Sequence, residues 1–188
     1  TRLEDRFVDV LGSAIVKATG AGLLVTHVPR AMIDLNRAPD DIDWSMIAGS
    51  NRKAPNSAAN RRARTGLGLV PRRLGGLGEI WKHRLPLEEL DRRIATIHRP
   101  YHGCLGDALE RIRDRWGSAL LVDLHSMPPL GATQGGESSD GAEFVIGDRF
   151  GASCAPDLAA HALRYLAGSG RRIAHNRPYS GGYALDRH

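Results

Sequence analysis

Asp123 and His125 stand two residues apart where the apolar run Ala119–Leu124 gives out, with Pro128 and Pro129 close behind. In an extended chain residues two apart project to one side. An imidazole binds a metal or exchanges a proton near neutral pH, and a neighbouring carboxylate fixes its orientation. Asp-x-His at a strand exit therefore suits a metal ligand with its orienting carboxylate, or a catalytic acid–base pair. A structural histidine is the bland alternative. A second cluster is RAMIDLNR, Arg30–Arg37, in which Arg30, Arg37, Asp34 and Asn36 surround the apolar Ile33 and Leu35. An Asn-Arg dipeptide offers an amide and a guanidinium fork to a carboxylate ligand, and Arg30 adds a second cation. The competing reading is a structural ion pair between Asp34 and an arginine. His98 and His102 have helical spacing, but Pro100 lies between them and no Glu follows His98, which rejects an H-E-x-x-H zinc site. Ser126 lacks the G-x-S-x-G surroundings of a hydrolase nucleophile.

The pattern around these residues predicts the elements that position them. Leu3, Phe7, Val10, Leu11, Ala14 and Ile15 are spaced for a helix over 3–19, stopped by Gly20 and Gly22. Leu23–Val28 reads as a strand ended by Pro29, and Ala31–Asn36 as a short strand or turn. Residues 38–78 show no period and are expected to be a long basic loop. The clearest helical period runs from Leu87 to Trp116, with Pro100 requiring a kink or two abutting helices. Ala119–Leu124 reads as a buried central strand. Glu143–Asp148 and Arg171–Asn176 read as strands flanking a helix over Pro156–Gly170. Alternating helices and strands predict a single α/β domain over 1–188 with a largely parallel sheet, with ligands beyond the strands' carboxyl ends.

The 188 residues carry a formal charge of +5, almost wholly from arginine, since Lys17, Lys53 and Lys82 are the only lysines. No acidic residue occurs from Trp44 to Gly78, whereas Arg52, Lys53, Arg61, Arg62, Arg64, Arg72 and Arg73 do. Such a stretch suits an anionic small molecule or nucleic acid. No aromatic residue interleaves the Arg52–Arg73 stretch and no nucleic-acid motif is present, which ranks nucleic acid a distant third reading. No apolar run reaches the ~20 residues that span a bilayer. Cys104 and Cys154 do not form a C-x-x-C pair, and so few cysteines fit a reducing, cytoplasmic compartment.

Seven segments in order, LEDRFVDVL, RAMIDLNRAPDD, GLGLVPRR, RPYHGCL, LLVDLHSMPP, IGDRFGASCAP and NRPYSGGY, resemble the N-formylglutamate amidohydrolases, or N-formylglutamate deformylases. That family is similar in fold to the zinc carboxypeptidases, which implies a three-layer α/β/α sandwich with a mostly parallel, mixed central sheet. The resemblance implies zinc as cofactor and hydrolysis of the formyl amide of N-formyl-L-glutamate, a small anionic N-acyl amino acid, within histidine degradation. A carboxypeptidase-like amidase acting on another acylated substrate is the runner-up. The resemblance further implies that His125 and Asp5 ligate zinc and that Asn36 and Arg37 bind the substrate carboxylate, and Arg30 of the same cluster is a further candidate for binding it. Asp123 and His102 then support the site, and Tyr179, Gly181 and Gly182 line it. Relatives carry a further metal-binding histidine in a Pro-His-x-Gly stretch and a general-base glutamate in a Gln-x-Glu strand. By the resemblance these are expected before Thr1 and after His188, so the chain is expected to lack both terminal segments of the domain.

Overall fold

The computed structural model describes residues 3–50, 61–74, 78–130 and 141–188. They fall into two compact units, Thr1–Ser126 and Met127–His188. The class is mixed α/β. Among the described residues there are three two-stranded pieces of sheet, two parallel and one antiparallel.

In the first unit, helix α1 spans Val8–Thr19. Asp9 in its first turn and Lys17 in its last complement the helix dipole. Gly20, at φ 73°, ends it by donating its N–H to the Val16 carbonyl at 2.8 Å. Strand β1, Ile47–Ala48, pairs in parallel with β4, Leu85–Pro86. Between them lie the short helix α2, Arg61–Arg64, and the antiparallel pair β2, Arg73–Leu74, and β3, Gly78–Glu79. Helix α3, Leu87–Arg93, passes into a π-helical turn, Ile94–His98, and then into α4, Arg99–Trp116. The Arg99 N–H bonds the Ile94 carbonyl, five residues back. This wider turn is where the expected Pro100 interruption is absorbed, because Pro100 has no N–H to continue the regular ladder.

The stretch read as a long basic loop, 38–78, contributes core residues and short elements in its described parts. Ile42, Met46, Ile47, Leu69 and Val70 are buried with Ile33, Leu85, Leu90 and Ile94 in one apolar cluster. The core is built here from residues on turns rather than on one face of a regular element, so no period announces it. Arg72 lies 2.8 Å from Asp43, a charge contact poorly aligned for a hydrogen bond, and Arg73 lies 3.4 Å from Glu79. Arg52 and Lys53 lie outside the described residues.

Two expected strands also differ. Residues 23–28 and 119–124 have no ladder partner among the described residues, and a strand is defined by its neighbours as much as by its own residues. Leu120 and Val122, expected in the core, are 59% and 63% exposed.

The second unit is a β-α-β arrangement. Strand β5, Phe144–Ile146, and β6, Ile173–His175, pair in parallel, with helix α5, Pro156–Gly168, between them in the chain. Helix α6, Tyr183–Arg187, follows β6 in the chain. Among the described residues no helix is long and apolar enough to cross a membrane.

Gly68 and Gly103 make opposite predictions. A Cβ on Gly68 would lie 2.5 Å from the Asp41 carbonyl oxygen, whereas one on Gly103, within α4, meets nothing within 4 Å. Gly68→Ala is expected to cost about 1–3 kcal/mol or more by overpacking. Gly103→Ala is expected to stabilise by up to about 1 kcal/mol through helix propensity. Urea denaturation of the two variants checks the sign of each.

Candidate active site

The turn at residues 30–37 is folded around the Asp34 carboxylate. Its Oδ1 accepts the Asn36 N–H at 3.0 Å, and its Oδ2 accepts from Arg30 Nε at 3.0 Å with Arg37 Nε 3.8 Å away. A buried carboxylate must be paired, and here one group shapes the turn and holds two cations beside it. The structural ion pair weighed against a ligand-binding role is therefore real, and it orients the candidate ligand-binding residues.

His125 is held at both ring nitrogens. Nε2 lies 3.0 Å from Asp123 Oδ2, and Nδ1 lies 3.0 Å from Asp5 Oδ2. The other Asp5 oxygen accepts the Ser126 N–H at 3.0 Å. Arg30 Nη1 stands 4.0 Å from Asp5. Asn36 Nδ2 donates to Asp123 Oδ2 at 3.3 Å and lies 3.1 Å from His125 Nε2. With Nε2–H directed at Asp123, that last approach reflects two donors converging on one carboxylate oxygen. Asp5, Arg30, Asp34, Asn36, Asp123 and His125 thus form one connected polar chain. It joins residues that lie far apart in the sequence.

The electrostatics follow. Burial opposes charging the His125 ring, but hydrogen bonds to Asp123 and Asp5 and their negative charges outweigh it, pushing the imidazole up to about 10. Burial likewise raises the Asp5 carboxyl, yet His125, Arg30 and the Ser126 N–H leave it below its ordinary value. Tyr101 is raised by burial and by the nearby Asp123 charge, which places this side chain beside the same chain of groups.

Arg37 is turned elsewhere. Its Nε donates to the Leu67 carbonyl at 3.0 Å and its Nη1 to the Asn36 carbonyl at 2.9 Å. Burial pulls its guanidinium below the ordinary value, and Asp34 opposes this. The Leu67 carbonyl is itself fixed within a segment tied to the site turn. Asp34 N–H bonds Leu69 O at 2.7 Å, and Leu69 N–H bonds Asp41 O at 2.7 Å. Sequence reasoning missed this support, although the glycines of GLGLV signalled a close backbone approach.

The long helical segment underlies the turn. Arg93 donates to Met32 O at 2.8 Å, His98 Nε2 lies 2.9 Å from Arg37 O, and His102 Nε2 lies 2.9 Å from Leu35 O. His102 belongs to the site region through the main chain, and His98, set aside at the sequence level, does the same.

Tyr179, Gly181 and Gly182 belong to the second unit. There the Asn176 side chain accepts the Asp148 N–H at 3.0 Å and donates to Asp148 Oδ1 at 2.6 Å, while Arg149 N–H bonds Ser180 O at 2.7 Å. The Gly147 position fits against the backbone of Ser180 and Gly181, where a Cβ would fall 2.6 Å from Ser180 C. The 147–151 loop therefore shapes the 179–182 turn. Tyr179 is exposed on that turn, and Gly181 has φ 107°.

The N-formylglutamate amidohydrolase family model matches residues 1–188. The chain belongs to the N-formylglutamate amidohydrolase family. It is 36% identical over 143 residues to an N-formylglutamate deformylase of Pseudomonas putida, covering 74% of this chain and 46% of that protein. It is 30% identical over 177 residues to an N-formylglutamate deformylase of Pseudomonas aeruginosa, covering 90% of this chain and 57% of that protein. A crystal structure of N-formylglutamate amidohydrolase from Ralstonia eutropha JMP134 superposes with a TM-score of 0.82 at 32% identity. It covers 98% of this chain and 65% of that one. The chain spans about half the length of the curated relatives it matches.

The foundation of the site makes an acid-titration prediction. Glu89 accepts from Arg93 Nε at 2.7 Å and from Arg92, and these hydrogen bonds hold its carboxyl down to about 2. A depressed folded value means the contribution is present above the unfolded value of about 4.5 and is lost as pH falls towards 2. Glu89→Gln is expected to reduce the fall in stability over that window, as measured by urea midpoints at pH 5, 4 and 3. An unchanged pH slope would contradict the pairing.

Proposed function

We propose that the protein of which this chain is part hydrolyses the formyl amide of N-formyl-L-glutamate to formate and L-glutamate. The observation that carries the reading is the Asp5–His125–Asp123 chain adjoining the Asn36–Arg37 turn, in a chain matched throughout by the family.

The donor set fits zinc in part. Two ligands each about 2.0–2.2 Å from one zinc ion sit roughly 3–3.5 Å from each other. Asp5 Oδ2 and His125 Nδ1 are 3.0 Å apart. Among the described residues no third His, Cys, Asp or Glu joins them as a ligand group. On this reading Asp5 and His125 hold the metal, and Asp123 keeps the Nε2 proton so that Nδ1 presents its lone pair. Zinc would supply Lewis acidity, polarising the amide carbonyl and acidifying a water.

The chain's own residues do the rest of the positioning. Nε and Nη1 of Arg37 are engaged by main-chain carbonyls, which aims the remaining Nη2 end of the fork. With Arg30 and the Asn36 amide it provides donors for a substrate carboxylate. Water adds to the formyl carbon, the C–N bond breaks, and the leaving nitrogen takes up a proton to become the amine of glutamate. Further parts of this reading are the three-layer α/β/α arrangement with a mixed central sheet, a carboxypeptidase-like site and action in the cytoplasm, where the free Cys104 and Cys154 are at home.

Formate release by the full-length protein tests the reading. His125→Ala is expected to abolish turnover, and Asp123→Asn to lower it about 10–100-fold. Arg37→Ala is expected to cost on the order of 2–5 kcal/mol in kcat/KM. Removal of metal by a chelator should stop the reaction, and added zinc should restore it. Full activity in His125→Ala, or a preference for other acylated amino acids or peptides across a substrate panel, would overturn the assignment.

A further inference from the structure

We infer that His98 and His102 are positioning residues for substrate recognition, acting through two main-chain carbonyls that bracket the Asn36–Arg37 pair. The inference rests on the carboxylate-binding role proposed above for that pair.

His102 Nε2 meets the carbonyl of Leu35, in the peptide unit just before Asn36. His98 Nε2 meets the carbonyl of Arg37, in the peptide unit just after it. A carbonyl only accepts, so each Nε2 carries its hydrogen and donates it. With the peptide planes on either side held, the backbone torsions of Asn36 and Arg37 have little freedom, and their amide and guanidinium are delivered from a fixed frame. Both imidazoles are 2% exposed, so no water replaces either donor cheaply. The rings pack 4.6 Å apart, and His102 makes an edge contact with Tyr101 at 5.2 Å, which braces the pair.

The π-helical turn explains why these histidines can act together. Arg93, His98 and His102 are separated by five and then four residues. In a regular α-helix a five-residue step overshoots one turn by more than a third. Across the wider Ile94–His98 turn it closes on one face, so all three side chains donate to carbonyls of the same turn, at Met32, Arg37 and Leu35. A π-turn inside a longer helix is a recurrent feature of functional sites, and here it sets the register of a donor row.

The test compares an amide that reaches the carbonyl with one that does not. In the full-length protein, His98→Gln and His102→Gln place an amide N–H near the position of Nε2, whereas His98→Asn and His102→Asn are too short. Kinetics with N-formyl-L-glutamate and amide hydrogen exchange over residues 34–38 are measured for all four. Each Asn variant is expected to raise KM about tenfold with a smaller change in kcat, because a carboxylate clamp acts on ground and transition states alike. Each is also expected to speed exchange at Asn36 and Arg37. Gln is expected to restore both measures to within about threefold of the parent. Unchanged KM and exchange in the Asn variants would overturn the inference. So would equal impairment of Gln and Asn accompanied only by a lower Tm. If the parent protein releases no formate, the functional reading fails by itself, and the exchange comparison still decides the positioning role.

Discussion

One imidazole held between two carboxylates organises the first unit. Asp123 takes one ring nitrogen of His125 and Asp5 the other. Neither carboxylate is free to turn away, because Asp5 also accepts the Ser126 N–H and Asp123 also accepts from Asn36. Each member therefore fixes the next, and the constraint spreads from the 119–126 segment to the N-terminal residues and the 30–37 turn. Opposite charges at both nitrogens favour the imidazolium over the neutral ring.

The rest of the unit holds that turn still. Its inner side is pinned by Asp34, its far side by the Leu67–Leu69 backbone, and its base by Arg93, His98 and His102. Most of these contacts end on main-chain groups, so what they fix is backbone geometry, and the Asn36 and Arg37 side chains inherit it. A site on a turn is made precise in this way without standing on a regular element.

This division explains what the sequence makes legible. Asp123 and His125 are legible because two chemically distinctive residues sit two apart beside an apolar run, and Asn36 and Arg37 because an amide and a fork are adjacent. The helical period of 87–116 and the β-α-β of the second unit are equally local signals. The roles of His98 and His102 are not legible, since their acceptors are carbonyls sixty or more residues away, which any residue type provides. Nor is the core contribution of Ile42, Met46, Leu69 and Val70, which are buried from turns without a repeat. The runs at 23–28 and 119–124 show the converse: their composition is that of strands, but a ladder also needs neighbours.

The central claim, that His125 Nδ1 and Asp5 face a metal while Asp123 holds Nε2, is tested most directly by anomalous diffraction at the zinc edge from crystals of the full-length protein. The account predicts a zinc peak about 2.0–2.2 Å from both His125 Nδ1 and Asp5 Oδ2, with the Nε2–Asp123 hydrogen bond intact. A peak on the Nε2 side of the ring, or zinc bound away from His125 altogether, would contradict it.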